Sequence, residues 1–380
     1  MSASSAPLAG HVDHVGSLLR PARLLEARET LLGVQDAEHN LGAHDNAELR
    51  AIEDECVLEV VRMQEEVGLP IVTDGEFRRR SWWSDFLLSL TGTRVTYDGK
   101  KPVTAVNDAG ETRPMPGVGV EGRVTWRGSV LAEPYEFLRS ATRGTAKVTV
   151  PGPPLLHYFR DEDFVPSPYP AVEAFYEDLV AAYRAELRAL ANAGCRFVQF
   201  DECMLAMLCD PRQQEFSRSR GDDPEALIET YASLIDRAIA ERPPDMTIGI
   251  HVCRGNVHNE FWGASGGYEP IAEALFNRIA ADVYLLEYDT DRAGDFSPLR
   301  HVPRGKRVML GLLSSKRPEL EDRDELLRRI DEAGRYVAAD QLGLSPQCGF
   351  STNVLSKAFT ATEERRKLEH LVEVAAAAWG

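Results

Sequence analysis

His251 and Cys253 stand two residues apart in IHVCRG, and Cys348 lies in SPQCGF. In extended backbone, side chains at i and i+2 point the same way, so the first pair offers an imidazole and a thiolate to one point. Glu287 closes another apolar run, VYLLE. One imidazole, two thiolates and one carboxylate would satisfy a tetrahedral zinc ion. The ligand types also narrow the reaction. Hydrolytic zinc sites rely on neutral histidines, which leave a strong Lewis acid and an acidic bound water. Two thiolates and a carboxylate leave a feeble electrophile, better suited to binding a substrate thiol and keeping its sulfur nucleophilic. The expected chemistry is attack of sulfur on an alkyl carbon. Taken singly, H-x-C is a weak motif, and a buried cysteine after a strand is usually packing. The expectation rests on the joint placement of the four.

That placement follows from the elements that must carry these residues. Short apolar runs fall at 11–16, 70–74, 147–150, 197–201, 247–251, 282–287, 307–311 and 341–345. Each is rich in β-branched or aliphatic residues, as strands are. Helical spacing of apolar residues fills 46–67, 168–193, 223–242, 268–280, 321–339 and 361–378. Eight strand–helix units predict an α/β chain forming a (β/α)8 TIM barrel, with an open doubly wound sheet as the alternative. No G-x-G-x-x-G opens a helix after the first strand, so a dinucleotide site is not supported. In such a barrel chemistry sits at the C-terminal ends of the strands. His251, Glu287, Asp201 and Glu202 end strands there, while Cys253, Cys348, Asp74, Glu76 and Ser17 follow shortly after. The expected organisation is one domain over 1–380. Residues 77–146 break the rhythm, and alternation in TGTRVTYDGK and GVGVEGRVTW predicts a β-hairpin insertion or lid after the second strand.

The totals set bounds on function. The chain has 380 residues, a net charge of -17, 43% hydrophobic and 27% charged residues. The composition is that of a globular protein. The acidic balance argues against nucleic acid, since neutralising phosphates needs clustered Lys and Arg. The start, MSASSAPLAG, lacks a basic, apolar leader, and no run is long enough for a membrane span. Six scattered cysteines fit reduced thiols better than a disulfide framework, so a cytoplasmic location is expected.

Seven stretches, HVGSLLRP, IVTDGEFRRR, VPGPPLLHYF, VQFDECMLA, IHVCRG, ADVYLLEYD and SPQCGFST, resemble the cobalamin-independent methionine synthase family. The resemblance is to its C-terminal catalytic barrel, nearest the short single-barrel members, and runs from about residue 11 to the C-terminus. It implies a Zn2+ cofactor held by His251, Cys253, Glu287 and Cys348. It also implies that Ser17 holds the carboxylate of homocysteine, while Glu76 and Asp201 grip its amino group. His157 stands where the long enzymes place a tryptophan near the folate. The implied partners are a small thiol, homocysteine first, and an alkyl donor (methylfolate, methylcobalamin or an epoxide). The implied reaction is methyl transfer giving methionine.

Simpler readings accompany these residues. Ser17 would cap a turn, Glu76 would pair with Arg78, Arg79 or Arg80, Asp201 would cap the next helix, and His157 would be a loop histidine. The chain also departs from the long enzymes. The loop GLLSSKRPELE carries Ser314, Ser315 and Lys316 but no histidine to protonate a leaving folate nitrogen. Arg254, Lys316 and the arginines at 78–80 suggest an anionic substrate group, such as a carboxylate or a sulfonate, the latter as in coenzyme M in an epoxide-opening relative. A metal-free decarboxylase of the uroporphyrinogen type and a zinc-stabilised protein without catalysis are the remaining alternatives.

Overall fold

The computed structural model describes residues 10–33, 42–96, 102–160, 168–257, 260–356 and 359–380. Among the described residues, twelve strands are numbered in chain order. They are β1 (Ile71–Val72), β2 (Thr93–Thr96), β3 (Thr104–Val106), β4 (Thr112–Pro114), β5 (Gly117–Val120) and β6 (Thr145–Ala146). The rest are β7 (Val148–Pro151), β8 (Phe197–Asp201), β9 (Thr247–Val252), β10 (Val283–Glu287), β11 (Arg307–Leu313) and β12 (Leu342–Pro346).

Six of them form one sheet in the order β12-β11-β10-β9-β8-β7, all neighbours parallel. Every residue of β7, β8, β10 and β12 is buried, as befits parallel strands covered on both faces. β6 continues into β7 after Lys147 and pairs in parallel with β1. At the other edge Val12 bridges Leu344 in parallel. Between these ends, Thr73 Oγ1 donates to Gly16 O at 2.6 Å and Leu18 N to Gly75 O at 3.1 Å. The chain therefore has an α/β, TIM-barrel-like architecture.

The expected strand at 11–16 reduces to that bridge. Its next amide, His14 N, is taken by the Asp13 carboxylate at 2.7 Å, and Gly16 turns to φ 141°. A side chain that captures a backbone N–H competes with the ladder.

Local chemistry accounts for the helices. Ala47–Val67 starts where the Asn46 side chain accepts from Leu49 N, and ends at Gly68 with φ 95°, as capped helices do. Its face of Leu49, Cys56, Val57, Val60, Val61 and Val67 is buried. Asp223 caps Pro224–Ile239, and a Thr360–Glu363 capping box opens Ala361–Trp379. The helix expected over 268–280 is not one α-helix. It splits into a 3-10 turn, Glu269–Ile271, and a π turn, Ala274–Arg278, with Pro270 unable to donate within it.

The interval 77–146 mixes element types. β2 pairs antiparallel with β5, and β3 with β4 nested inside them. Helices Ser84–Ser89 and Ala132–Ala141 flank the strands, the second packing on Ala47–Val67 and Val172–Asn192. Val106 and Trp262 exchange backbone hydrogen bonds at 2.8 Å, and Val118 N donates to Phe159 O at 2.7 Å. These bonds lay the strands across the C-terminal end of the main sheet, beside the site.

Candidate metal centre

β9 carries His251 inward, opposite Asp201 of β8. Its Nδ1 lies 3.1 Å from Leu285 O on the next strand. A carbonyl only accepts, so that contact places the proton on Nδ1 and leaves the Nε2 lone pair free. Nε2 is buried and has no hydrogen-bond partner among the described residues. Cys253 follows the strand, and Cys348 arrives on the loop after β12. The donor atoms of His251, Cys253 and Cys348 all lie within 4.8 Å of one another. Two sulfurs on a tetrahedral zinc would be roughly 3.8 Å apart. An orphaned imidazole nitrogen facing two thiols thus fits a soft divalent metal.

A third sulfur joins them. Cys203 Sγ lies 2.9 Å from Cys253 Sγ. Hydrogen bonds from the Cys203 and Cys348 thiols hold Cys253 well below the usual thiol range, against its burial. Their own hydrogen bonds to Cys253 push Cys203 and Cys348 well above that range, and burial adds to this. Cys253 is thus the most readily ionised of the three thiols. Burial pulls the His251 imidazole down, but Cys253 and Asp201 outweigh it and raise it.

Glu287 stands apart from this cluster. Its carboxylate is fully buried and accepts from Arg254 N at 2.8 Å, with Arg292 at 3.3 Å and Lys316 at 3.7 Å. Burial opposes ionisation there, yet Lys316 and Arg254 hold the group below the carboxylate range. The expected fourth ligand is thus occupied by cations, and the grouped donors are three.

The cluster lines a cavity of about 450 Å³ that Ser17, Glu76, Asp201 and Cys203 also line. Glu76 is the only non-glycine among the described residues with positive φ, at 62°. That conformation costs about 1–3 kcal/mol. It is secured by Asp74 Oδ1, which accepts from Glu76 N at 2.9 Å, and by Arg20, which donates to Glu76 O at 2.9 Å. Thr149 Oγ1 donates to Glu76 Oε1 at 2.6 Å, while Oε2 is buried without a partner among the described residues. Burial raises Glu76 despite Arg79 beside it. Asp201 Oδ1 accepts from Gln199 at 2.7 Å, and burial pushes this carboxyl up to about 7. Two acids with raised affinity for a proton suit an ammonium partner.

His157 lies elsewhere. It is buried against Tyr176 and Tyr231, its Nδ1 is 2.8 Å from Tyr231 Oη, and it is not among the cavity-lining residues. Burial holds it well below the usual imidazole range. The basic residues expected to meet an anion are mostly engaged within the protein. Arg78 pairs with Asp54, Arg79 donates to Thr149, and Arg254 is spent on Gly266 O and Tyr268 Oη. Lys316 faces Glu287. Arg80 does line the cavity. Trp82, Trp83, Met115 and Phe159 make its wall apolar, Met115 coming from between β4 and β5.

Cys203 and Gln199 escaped the sequence reading. Both carried a signal. Cys203 follows Asp201 and Glu202 at a strand end, and Gln199 shares the Asp201 face of β8 by the period of two.

Residues 29–377 match the family model described as cobalamin-independent synthase, catalytic domain. The chain is 37% identical over 370 residues to the uncharacterised protein YxjH of Bacillus subtilis, covering 97% of this chain and 94% of that one. It is 24% identical over 315 residues to a 5-methyltetrahydropteroyltriglutamate–homocysteine methyltransferase of Bacillus thuringiensis, covering 83% of this chain but 37% of that one. A crystal structure from Listeria monocytogenes, of a candidate vitamin-B12-independent methionine synthase, superposes with TM-score 0.74 at 34% identity, covering 97% and 98% of the two chains. A B12-independent methionine synthase of Shewanella sp. W3-18-1 in complex with selenomethionine gives TM-score 0.69 at 21% identity, covering 96% of each, a likeness of fold. No helix among the described residues is long and apolar enough to cross a membrane.

Proposed function

The chain belongs to the family of cobalamin-independent synthase catalytic domains, and from that premise we propose that it is a zinc-dependent S-methyltransferase acting on homocysteine. The observation that carries this reading is the grouping of His251 with the Cys253 and Cys348 thiols in the lining of a cavity that Glu76, Asp201 and Ser17 also line. A zinc ion held by the first three would acidify a substrate thiol bound beside it while leaving the sulfur nucleophilic. Glu287 is the fourth ligand in this reading, once it leaves Lys316 and Arg292.

The rest of the work falls to the chain itself. Glu76 and Asp201 take the ammonium group of homocysteine and Ser17 its carboxylate, which aims the side-chain sulfur at the metal end. The apolar wall of Trp82, Trp83 and Phe159 receives the methyl donor and keeps water from the thiolate. Sulfur then displaces the donor's leaving group and becomes the thioether of methionine. Holding both reactants in one dry cavity supplies much of the rate gain for such a bimolecular step. We read the fold as a complete (β/α)8 ring in a single domain over 1–380, with the 77–146 interval as its lid. An open sulfonate site for coenzyme M gains little support, because Arg78, Arg79 and Arg254 are engaged within the protein.

The test combines two measurements. Elemental analysis should find one zinc per chain, and the zinc X-ray edge should gain a sulfur neighbour when homocysteine is added. A turnover screen should then yield methionine from homocysteine with methylfolate or methylcobalamin, and no product from coenzyme M with epoxides. Absence of zinc from freshly purified protein, or an unchanged edge with homocysteine, would reject the proposal.

A further inference from the structure

Beneath the cavity, Asp201 is tied to a buried ammonium two side chains away. Gln199 precedes it by two residues on β8 and shares its face. Gln199 Nε2 donates to Asp201 Oδ1 at 2.7 Å and to Val15 O at 2.6 Å, and Oε1 accepts from Lys147 Nζ at 2.8 Å. Lys147 sits between β6 and β7, 1% exposed, and also donates to Asp13 Oδ1 at 2.6 Å and to His14 O. Gly249 faces Gln199 across the strand pair, and a Cβ there would touch Phe197 and the Gln199 side chain. The amide is thus enclosed.

The direction of this chain of contacts is fixed by valence. An ammonium has three protons and no lone pair. Those of Lys147 reach Asp13, His14 O and Gln199, so only the amide oxygen can face it. The NH2 end is then obliged to turn to Asp201 and Val15 O, which use its two protons. A flipped amide would present oxygen to the Asp201 carboxylate and to a carbonyl, three acceptors without a proton between them.

We propose that Lys147 and Gln199 are positioning residues for the amino group of the thiol substrate. Lys147 locks the Gln199 amide so that Asp201 is held as a hydrogen-bond acceptor aimed into the cavity. This inference rests on the reading that Asp201 receives an ammonium group. Neither residue touches substrate; both act through Asp201. The arrangement also explains a lysine inside the sheet, where an unpaired charge would be prohibitive. Asp13 neutralises it, and Gln199 transmits its orientation without delivering a second charge to the cavity.

The experiment compares two thiols on the zinc-loaded protein by calorimetry: homocysteine, and 4-mercaptobutanoate, which lacks only the amino group. Gln199→Met removes the donor to Asp201, and Gln199→Glu keeps an acceptor for Lys147 but offers Asp201 no proton. Each is expected to weaken homocysteine about tenfold, the order for a hydrogen bond to a charged group. Both should leave 4-mercaptobutanoate within about twofold and zinc content unchanged. Gln199→Glu preserves the pairing of Lys147, so it keeps the test alive if Gln199→Met does not fold. Equal weakening of both thiols, or of neither, would overturn the inference. Asp201→Asn separates the two levels. If it spares the preference for homocysteine, the amino-group reading itself fails. If it abolishes that preference while the Gln199 variants keep it, only the positioning role fails.

Discussion

The two sides of the cavity floor are built on opposite plans. On the metal side, Cys203, Cys253, Cys348 and His251 gather their donor atoms together, and a single carbonyl orients the imidazole. On the acid side, Glu76 and Asp201 are fastened by Thr149, Gln199 and, one step further, Lys147. A set of soft donors without charged straps can take a metal and then admit another sulfur. A strapped pair of carboxylates can receive an ammonium without first reorganising, which is where preorganisation gains most. The cavity joins a half of soft donors to a half of strapped carboxylates.

The comparison can be broken most severely from the metal side. Cys253→Ala removes the thiol that the other two thiols serve, so zinc content should fall to background and turnover by more than about a thousandfold, of the order seen when a catalytic unit loses a member. Metal analysis and a methionine-forming assay check this together. Glu76→Gln strikes the acid side. It should raise KM for homocysteine about 10- to 100-fold, the range for losing a charged hydrogen-bond partner, with zinc retained. Loss of zinc in that variant would show that the two halves are not separable.

Acidity sharpens the contrast further. Burial pushes Asp201 up to about 7, so its proton is gained as pH falls through that value and the anionic partner for an ammonium is lost. In zinc-free protein, methionine binding should weaken as pH falls from 8 to 6, by up to about tenfold per unit below the transition. 4-Methylthiobutanoate, which lacks only the amino group of methionine, should not follow; calorimetry at several pH values decides. The smallest effect is expected at Cys203. Cys203→Ala removes one hydrogen bond to Cys253 and should weaken zinc by about tenfold or less, as loss of an outer partner does. A zinc-chelator competition would detect it, and KM should stay within about twofold.

The sequence carried the strand ends well because a period of two and a run of buried aliphatics are one-dimensional signals. His251 and Cys253 could be paired on that basis, and Asp201 set near them. Glu287 shows where such reading stops. Strand position put it at the rim, but its partners Arg254, Arg292 and Lys316 come from two loops and a 3-10 turn, and nothing linear tells which charge a carboxylate will choose. His157 is similar, since its burial depends on Tyr231 from a helix 74 residues later. The first strand dissolved because Asp13 captured a backbone amide, a contest between side chain and ladder that hydrophobic pattern does not encode. Pro270 was visible and still did not decide the outcome alone, for it sits inside the 3-10 turn that precedes the π turn.

Gly349 gives the floor one more property. A Cβ at that position would lie 1.9 Å from Ser17 Oγ, so the backbone beside Cys348 rests directly on the serine hydroxyl, and Phe350 N is bonded to Ser17 O at 3.0 Å. The loop that carries Cys348 and the serine are therefore packed together, and the span from the thiol cluster to the hydroxyl is a gauge. A substrate anchored at both ends must bridge it with a fixed number of methylene groups. Cysteine falls one short of homocysteine, and the packing of a single glycine becomes a measure of length.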